Sequence, residues 1–384
     1  MRFEFATATR IIFGASTLQE IGPIAAEMGS RALVVTGRTT TRAEPLLDAL
    51  AAQEIDTVTF TVASEPTVGV VRLGTQQARE ENCDLVIGFG GGSVLDTGKA
   101  IAVLLTNGSD PLDYLEVIGQ GQQLTQPPVP YIAIPTTAGT GSEVTRNAVL
   151  ASPENRVKVS LRSPLMLPRL ALVDPELTHS LPPQVTASTG LDALTQVVEP
   201  YVSNRANPMI DALCRDGMRR VSLSLRRAYE NGDDAAARED MALASLFGGL
   251  ALANAKLGAV HGFAGPVGGM FTAPHGAICG RLLPHVMAVN VRALQERLPE
   301  SAALRRYDQI AQILIGSPKA TARDGVAWIQ ALCEALHVPP LSSYEITTED
   351  FPPLIEKASV SSSMQGNPIK LTPDEMREIL TRAL

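Results

Sequence analysis

Acidic, amide and imidazole side chains with spacings suited to a metal ion occur in the C-terminal half of the sequence. Asp192 and Gln196, in GLDALTQVVEPY, are four residues apart on a segment with a helical pattern, so both side chains point the same way. His261 and His275 are their candidate partners, because neutral imidazoles bind transition metals and a carboxylate adds charge neutralisation. The residues alone leave three possibilities open: a metal site, a site weakened by the amide of Gln196, or no metal site.

A second group of residues is suited to binding phosphate. The segment DLVIGFGGGSVLDTGKA reads as a buried strand, a glycine cluster that includes Gly91 and Gly92, and then a helix. Ser93 and Asp96 have the spacing of a capping box at the start of this helix, whose exposed N–H groups suit a pyrophosphate. The glycine spacing is neither a Walker loop nor the GxGxxG of a first βα turn, so a tight structural turn is the alternative.

Small hydroxyl side chains follow the next strand pattern, in IPTTAGTGSEVT. Two adjacent strand ends that carry such loops form the crevice in which open α/β sheets bind ligands. We therefore expect cofactor contacts from Thr136, Thr137, Thr140 and Ser142, with a polar surface loop as the alternative.

The N-terminal part must position these loops, and its pattern alternates between strand and helix. Short apolar runs rich in β-branched residues predict strands at 31–37, 56–62, 84–90 and 130–136. Helical patterns separate them, so we expect a parallel sheet with helices on both faces. The opening stretches FEFA and RIIFG predict a small hairpin.

A Pro-rich stretch near residue 181 marks the expected boundary between an α/β domain, 1–180, and a helical domain, 181–384. Beyond it, Ala and Leu recur at spacings of three and four, which is typical of helices. The clearest helical patterns cover 186–202, 207–228, 235–255 and 304–315.

Composition narrows the function. The 384 residues carry a net charge of −8 and have no basic run interleaved with aromatics, which argues against a nucleic-acid partner. No apolar stretch approaches the ~18 residues of a membrane span, and the N-terminus lacks the apolar core of a signal peptide. The four Cys are far apart and predict reduced thiols in a cytoplasmic protein.

Seven segments, in order along the chain, resemble the iron-containing (group III) alcohol dehydrogenase family. They are GGGSVLDTGKA, PTTAGTGSEVT, LVDPEL, GLDALTQVVEPYVS, HGFAGPVGG, PHGAICGRLLPHV and SSSMQGNPIKLT. The resemblance implies the dehydroquinate synthase-like architecture, with a Rossmann-like dinucleotide-binding domain, an all-α domain and an active site in the cleft between them. It also implies NAD(P)-dependent hydride transfer between the cofactor and a small alcohol or aldehyde, in a homodimer or higher homo-oligomer.

The resemblance further implies a divalent metal, Fe²⁺ or Zn²⁺, held by an Asp and three His. The matching positions are Asp192, Gln196, His261 and His275, of which the Asp and the two His form the catalytic group. The metal would polarise the carbonyl. The amide of Gln196 replaces an imidazole and Gly265 lacks a second one, so we expect a weakly held metal.

Two alternatives follow from these departures. One is a metal-independent carbonyl reductase, similar to maleylacetate reductases, in which His261 or His275 donates a hydrogen bond to the carbonyl. The other is a catalytically degraded relative that only binds nucleotide. The glycine loop of this sequence is of the alcohol dehydrogenase type, which favours neither of these two alternatives.

The cofactor positions implied by the resemblance include the end of the first strand of the sheet. Many relatives have an Asp at the position of Gly37, where it holds the ribose 2′-OH and repels a 2′-phosphate. Gly37 removes that repulsion and Arg38 adds positive charge, so NADP(H) is favoured over strict NAD. Lys158 matches a lysine that approaches the nicotinamide ribose, and Asn147 is a further pocket candidate.

Overall fold

The computed structural model describes residues 2–108 and 110–384. The chain divides into two compact units. An α/β unit contains 6–137 and 141–178, and a helical unit contains 138–140 and 179–384 together with the N-terminal residues up to Phe5.

The α/β unit is built on a parallel sheet. Its strands are β1 (Ile11–Phe13), β2 (Arg31–Thr36), β3 (Asp56–Thr61), β4 (Leu85–Gly90), β5 (Tyr131–Pro135), β6 (Asn147–Ser152), β7 (Val157–Arg162) and β8 (Leu170–Val173). Six of them pair in the order β1-β8-β5-β4-β2-β3, whereas β6 and β7 form a separate antiparallel pair. The helices are α1 (Ile21–Ala26), α2 (Glu44–Ala51), α3 (Val68–Glu80), α4 (Gly92–Asn107) and α5 (Pro111–Tyr114).

The strand sequences explain why helices cover both faces of this sheet. Successive side chains of a strand point to opposite faces, so Leu33 and Val35 of β2 enter one apolar cluster while Ala32 and Val34 enter the other. A strand buried on both faces has to be apolar throughout, which is the pattern of β2, β4 and β5. The parallel sheet predicted from the sequence is confirmed.

The structure differs from the expectation at two places in this unit. The N-terminal hairpin is wrong, because residues 3–6 are not in a strand and β1 pairs in parallel with β8, Ile11 opposite Ala171. The β6–β7 hairpin was not expected. Polar or charged residues alternate with apolar ones in β7, VKVSLR, and the apolar run of β6, NAVLAS, is short and flanked by polar residues, so neither segment has the long apolar run of a fully buried strand.

The second unit is helical throughout its described secondary structure, apart from short 3₁₀ turns. Its helices are α6 (Pro183–Val202), α7 (Pro208–Glu230), α8 (Ala235–Ala255), α9 (Ala259–Met270), α10 (His275–Arg297), α11 (Ala302–Ile315), α12 (Ala322–Ala335), α13 (Phe351–Val360) and α14 (Pro373–Ala383). The four helices predicted from periodicity are confirmed, with ends shifted by at most three residues. Local chemistry sets such ends: Asn207 accepts a hydrogen bond from the Ile210 N–H, and Pro208 follows it at the first helical position.

Among the described residues, no single helix is long and apolar enough to cross a membrane. One bent pair, α8 with α9 at 99°, passes that test by length and composition only.

A buried polar network ties α4 to the segment after β5. The ammonium of Lys99, 1% exposed, donates to the backbone oxygens of Ser142 and Asn147 at 2.8 Å and to the Thr145 hydroxyl at 3.0 Å. The hydroxyl of Ser142 donates to Asp96. Burial raises the pKa of the neighbouring Glu143 to about 7, although its own backbone N–H and the charge of Lys99 oppose the rise.

We expect Glu143 to make stability fall as pH rises. A carboxyl whose folded pKa is raised binds more protons folded than unfolded, so its contribution is lost between about pH 4.5 and about pH 7, by about 3 kcal/mol in all. Glu143→Gln should flatten this slope and make the protein more stable than the parent at pH 8, measured by urea unfolding. Glu27→Gln, at an exposed position, is the control, and equal slopes in the parent and Glu143→Gln would contradict the assignment.

Candidate active site

The carboxyl ends of three neighbouring strands bring some of the predicted cofactor residues to one edge of the sheet. Gly90 at the end of β4 lies opposite Pro135 of β5, and Phe89 lies opposite Thr36 of β2. Chain order reverses between β2 and β4, since β2 continues outward to β3 whereas β4 continues to β5 on the other side. This reversal is the switch point at which open α/β sheets bind ligands.

The start of α4 at this edge lacks a side-chain cap. Gly91 is the residue before the helix, which begins at Gly92, and no described side chain caps it. The predicted capping box of Ser93 and Asp96 is therefore wrong, because both residues lie inside the helix. The carboxylate of Asp96 instead accepts hydrogen bonds from the Ser142 hydroxyl and, at 2.8 Å, from the Val149 N–H. The uncapped N–H groups and the helix dipole remain suited to an anion.

The hydroxyl residues after β5 divide between two environments. The Thr136 N–H donates to Gly90 at 2.9 Å, and Thr137 is so close to Gly91 that a Cβ there would lie 3.3 Å from its methyl and hydroxyl groups. These residues line the edge, where a side chain at Gly91 would crowd Thr137. Ser142 faces the buried Lys99 instead, and Thr140 belongs to the helical unit.

The remaining predicted cofactor residues have these positions. No atom of the described residues lies within 4 Å of a Cβ built at Gly37, directly after β2, and the guanidinium of Arg38 donates to the Ala63 carbonyl at 2.9 Å. Asn147 begins β6, and Lys158 of β7 pairs with Glu65 at 3.1 Å. Arg38 and Lys158 therefore already have protein partners within their own unit.

In the helical unit, three helices bring the predicted catalytic residues together. Asp192 is on α6, His261 on α9 and His275 at the first position of α10. Asp192 Oδ1 lies 3.3 Å from His261 Nε2 and 3.8 Å from His275 Nε2. Cys279 joins them, and one ligand atom from each of the four residues lies within 4.8 Å of the others.

The carboxylate of Glu199, two turns after Asp192 on α6, orients His261. Its Oε2 lies 2.7 Å from His261 Nδ1, and its Oε1 accepts a hydrogen bond from the Val260 N–H at 2.6 Å. A carboxylate can only accept here, so Nδ1 carries a proton that it donates to Glu199, while Nε2 faces Asp192. A Cβ at Gly258 would lie 2.8 Å from Oε1, so glycine permits this close approach.

The charges of the cluster stabilise one another. Burial alone would favour neutral Asp192, but the His275 and His261 imidazoles outweigh it and lower the pKa of the carboxyl. Burial also opposes ionisation of Cys279, and the same two imidazoles lower the pKa of its thiol. The pKa of His261 is raised well above its ordinary value despite burial, mainly by Cys279, Asp192 and Glu199. The cluster thus brings together a carboxylate oxygen, a thiol sulfur and imidazole nitrogens as possible donor atoms.

This donor set fits a divalent metal, because carboxylate, imidazole and thiolate are the usual zinc and iron ligands in proteins. Gln196, one turn after Asp192, donates from Nε2 to the Gly139 carbonyl at 3.2 Å, and its buried Oε1 has no partner among the described residues. The position of the absent second imidazole is open, since nothing in the described part of the chain lies within 4 Å of a Cβ at Gly265. His275, with 35% of its side chain exposed, is the accessible member of the cluster.

Two residues of this site were missed by sequence reasoning, although helical spacing carried a signal for both. Glu199 is seven residues after Asp192, and Cys279 is four after His275, which places each on the same helix face as a predicted ligand. The thiol was grouped with the other three as an unremarkable reduced cysteine.

Two family models match consecutive parts of this chain. Residues 8–175 match the family model described as iron-containing alcohol dehydrogenase, and residues 186–384 match the Fe-containing alcohol dehydrogenase family, C-terminal. Alcohol dehydrogenase 4 of Schizosaccharomyces pombe is 38% identical, with 84% of this chain and 74% of the relative covered. The fold and site define an oxidoreductase of the alcohol dehydrogenase type.

Two further similarities extend over nearly the full length. The NAD-dependent methanol dehydrogenase of Bacillus methanolicus is 33% identical, with 97% of each chain covered. The crystal structure of a 1,3-propanediol oxidoreductase is 33% identical with a TM-score of 0.92, and 100% of each chain is covered. The chain belongs to the iron-containing alcohol dehydrogenase family.

We expect Glu199→Gln to weaken metal binding. The glutamine oxygen can still accept from Val260, but its amide N–H groups then face His261 Nδ1 and force the ring proton onto Nε2, inside the cluster. Loss of such an orienting partner weakens metal affinity about 10- to 100-fold, measured by competition with a chromogenic chelator. Glu230→Gln, which removes an exposed acid of the same unit, is the control, and an unchanged affinity in Glu199→Gln would contradict the role.

Proposed function

We propose that this chain is an NAD(P)-dependent alcohol dehydrogenase and aldehyde reductase, which transfers hydride between the nicotinamide and a small alcohol or aldehyde. The observation that carries the proposal is the convergence of Asp192, His261 and His275 in a member of this family. Relatives named for NAD-dependent methanol oxidation and for 1,3-propanediol support the substrate class. The Pro-rich region near residue 181 remains our proposed domain boundary.

The residues of the cluster have separate roles in this proposal. Asp192, His261 and His275 would hold a divalent metal, which when bound supplies a Lewis acid for the substrate oxygen. Asp192 neutralises part of the charge, and Glu199 fixes the His261 ring so that Nε2 is available. The exposed side chain of His275 marks the side from which a substrate would approach.

The sheet edge of the α/β unit would bind the dinucleotide. We propose that the uncapped N–H groups at Gly92 and Ser93 hold the pyrophosphate, as helix N-termini do elsewhere. Thr136 and Thr137 would contact the same part of the cofactor. Asp96 and Ser142 act indirectly, because their bonds hold α4 in place.

The test is cofactor oxidation by purified protein supplied with NADH or NADPH and a panel of small aldehydes. The protein is assayed as isolated, after chelation, and after anaerobic return of Fe²⁺ or Zn²⁺. We expect absorbance loss that chelation abolishes and metal restores. Full turnover after complete metal removal would instead favour the metal-independent reductase, and no turnover under any condition would favour a degraded nucleotide-binding relative.

We expect the open space at Gly37 to set the cofactor preference. Gly37→Asp is sterically tolerated, since a Cβ there meets nothing within 4 Å among residues 2–108 and 110–384, and the new carboxylate would repel a 2′-phosphate. The ratio of kcat/KM for NADPH to that for NADH should fall about tenfold or more.

The matched control is Gly37→Asn, which has the same size without the charge and should change the ratio much less. An equal ratio in the parent and in Gly37→Asp would exclude Gly37 as the 2′-phosphate determinant.

A further inference from the structure

The sulfur of Cys279 lies where a fourth ligand would be needed. Its Sγ is 3.7 Å from His275 Nε2 and 3.9 Å from His261 Nε2, and the residue is fully buried. Cys279 follows His275 by one turn of α10, so one helix presents both side chains to the cluster.

Most of the distances among the four donors are close to those around a tetrahedral ion. Metal bonds of about 2.0–2.1 Å to nitrogen or oxygen and about 2.3 Å to sulfur give tetrahedron edges of about 3.4 Å between N or O atoms and about 3.6 Å between S and N. The edges in the structure are 3.3 Å and 3.8 Å from Asp192 Oδ1 to the two imidazoles, and 3.7 Å and 3.9 Å from the sulfur to the imidazoles. The other two edges, between Asp192 and Cys279 and between the two imidazoles, are within 4.8 Å, so a bound ion would draw the four donors closer together.

Building on the proposed function, we propose that Cys279 is the fourth protein ligand, as a thiolate, and that the site is Asp192–His261–His275–Cys279 rather than one completed by Gln196.

Charge and anchoring both favour the sulfur over the amide. A thiolate and a carboxylate together neutralise a divalent ion, whereas the oxygen of Gln196 is neutral and a weaker donor. The amide is also held through Nε2 by the Gly139 carbonyl at 3.2 Å. The sequence predicted weak metal binding because Gln196 was the fourth ligand beside Asp192 and the two His, and the Cys279 sulfur would be the stronger donor.

The ligand set also predicts which ion is preferred. Thiolate with imidazole selects a borderline-soft ion, so Zn²⁺ is favoured over Fe²⁺, and Mg²⁺ and Ca²⁺, which prefer oxygen ligands, are excluded. Replacing the thiolate with a hydroxyl should reduce the ratio of bound Zn²⁺ to bound Fe²⁺ about tenfold or more under anaerobic competition.

X-ray absorption at the zinc edge tests the ligand directly on the full-length protein loaded with Zn²⁺. We expect one sulfur scatterer at about 2.3 Å beside lighter scatterers at about 2.0 Å. Cys279→Ser should lose the sulfur shell, whereas Gln196→Ala should keep it. Cys333→Ser is the control thiol, because Cys333 is buried in the same unit and a serine can keep its bond to the Gly280 carbonyl.

Every outcome of this experiment either supports or overturns Cys279 as a ligand. A stoichiometric zinc site with only nitrogen and oxygen scatterers, or a parent protein that binds no zinc, overturns the assignment, and neither measurement depends on the folding of a variant. Aldehyde reduction is measured separately on the same samples. A sulfur shell without turnover supports Cys279 as a ligand and contradicts the proposed activity. Turnover without a sulfur shell supports the activity and contradicts Cys279 as a ligand.

Discussion

The geometry of the cluster depends on the hydrogen bonds that the carboxylate of Glu199 accepts. One oxygen accepts the Val260 N–H at the start of α9, and the other accepts the Nδ1 proton of His261 one residue later. Asn367 completes the start of this helix by accepting the Ala259 N–H at 3.2 Å. Because Glu199 and Asp192 share α6, a single helix fixes the imidazole and the carboxylate that faces it.

A second set of buried polar contacts has the corresponding role in the α/β unit. Lys99 and Asp96, one turn apart on α4, form hydrogen bonds through their charged groups with the segment that follows β5. Their bonds are satisfied inside the protein, so they are unavailable to a ligand. The N-terminus of α4 has no side-chain cap among the described residues, and the glycines there let the chain pass close to Thr137. In each unit, buried charged residues hold the scaffold around a helix start: Glu199 at α9, and Lys99 with Asp96 at α4.

Much of the fold could be predicted because its signals are local. The continuous apolar strands of the sheet and the Ala/Leu periodicity beyond residue 181 led to elements that the structure contains. The β6–β7 hairpin was missed because its alternating pattern is weak, and the N-terminal hairpin was wrong because β1 finds its partner, β8, about 160 residues away. Sequence patterns do not reveal such distant pairing.

Three members of the candidate site were predictable from the sequence, but two further members and the contacts among them were not. Asp192, His261 and His275 were identified from the resemblance, and the structure brings them together. Ser93 and Asp96 had the spacing of a capping box, but Asp96 is drawn into tertiary hydrogen bonds with Ser142 and Val149 that spacing cannot show. Glu199 and Cys279 could have been found by asking which residues lie one or two turns from a predicted ligand, on the same face of its helix.

The two positions one turn beyond a ligand, Gln196 on α6 and Cys279 on α10, are best understood together. Each can present a donor to the same cluster, so a site that lacks an imidazole on α6 can be completed from α10. The exchange would change the chemistry as well as the position. A thiolate donates more charge than an imidazole, so the ion would be held more tightly but would withdraw less electron density from a carbonyl. The fixed orientation of His261 by Glu199, with Nε2 directed at Asp192, would then serve to hold the ion in this geometry.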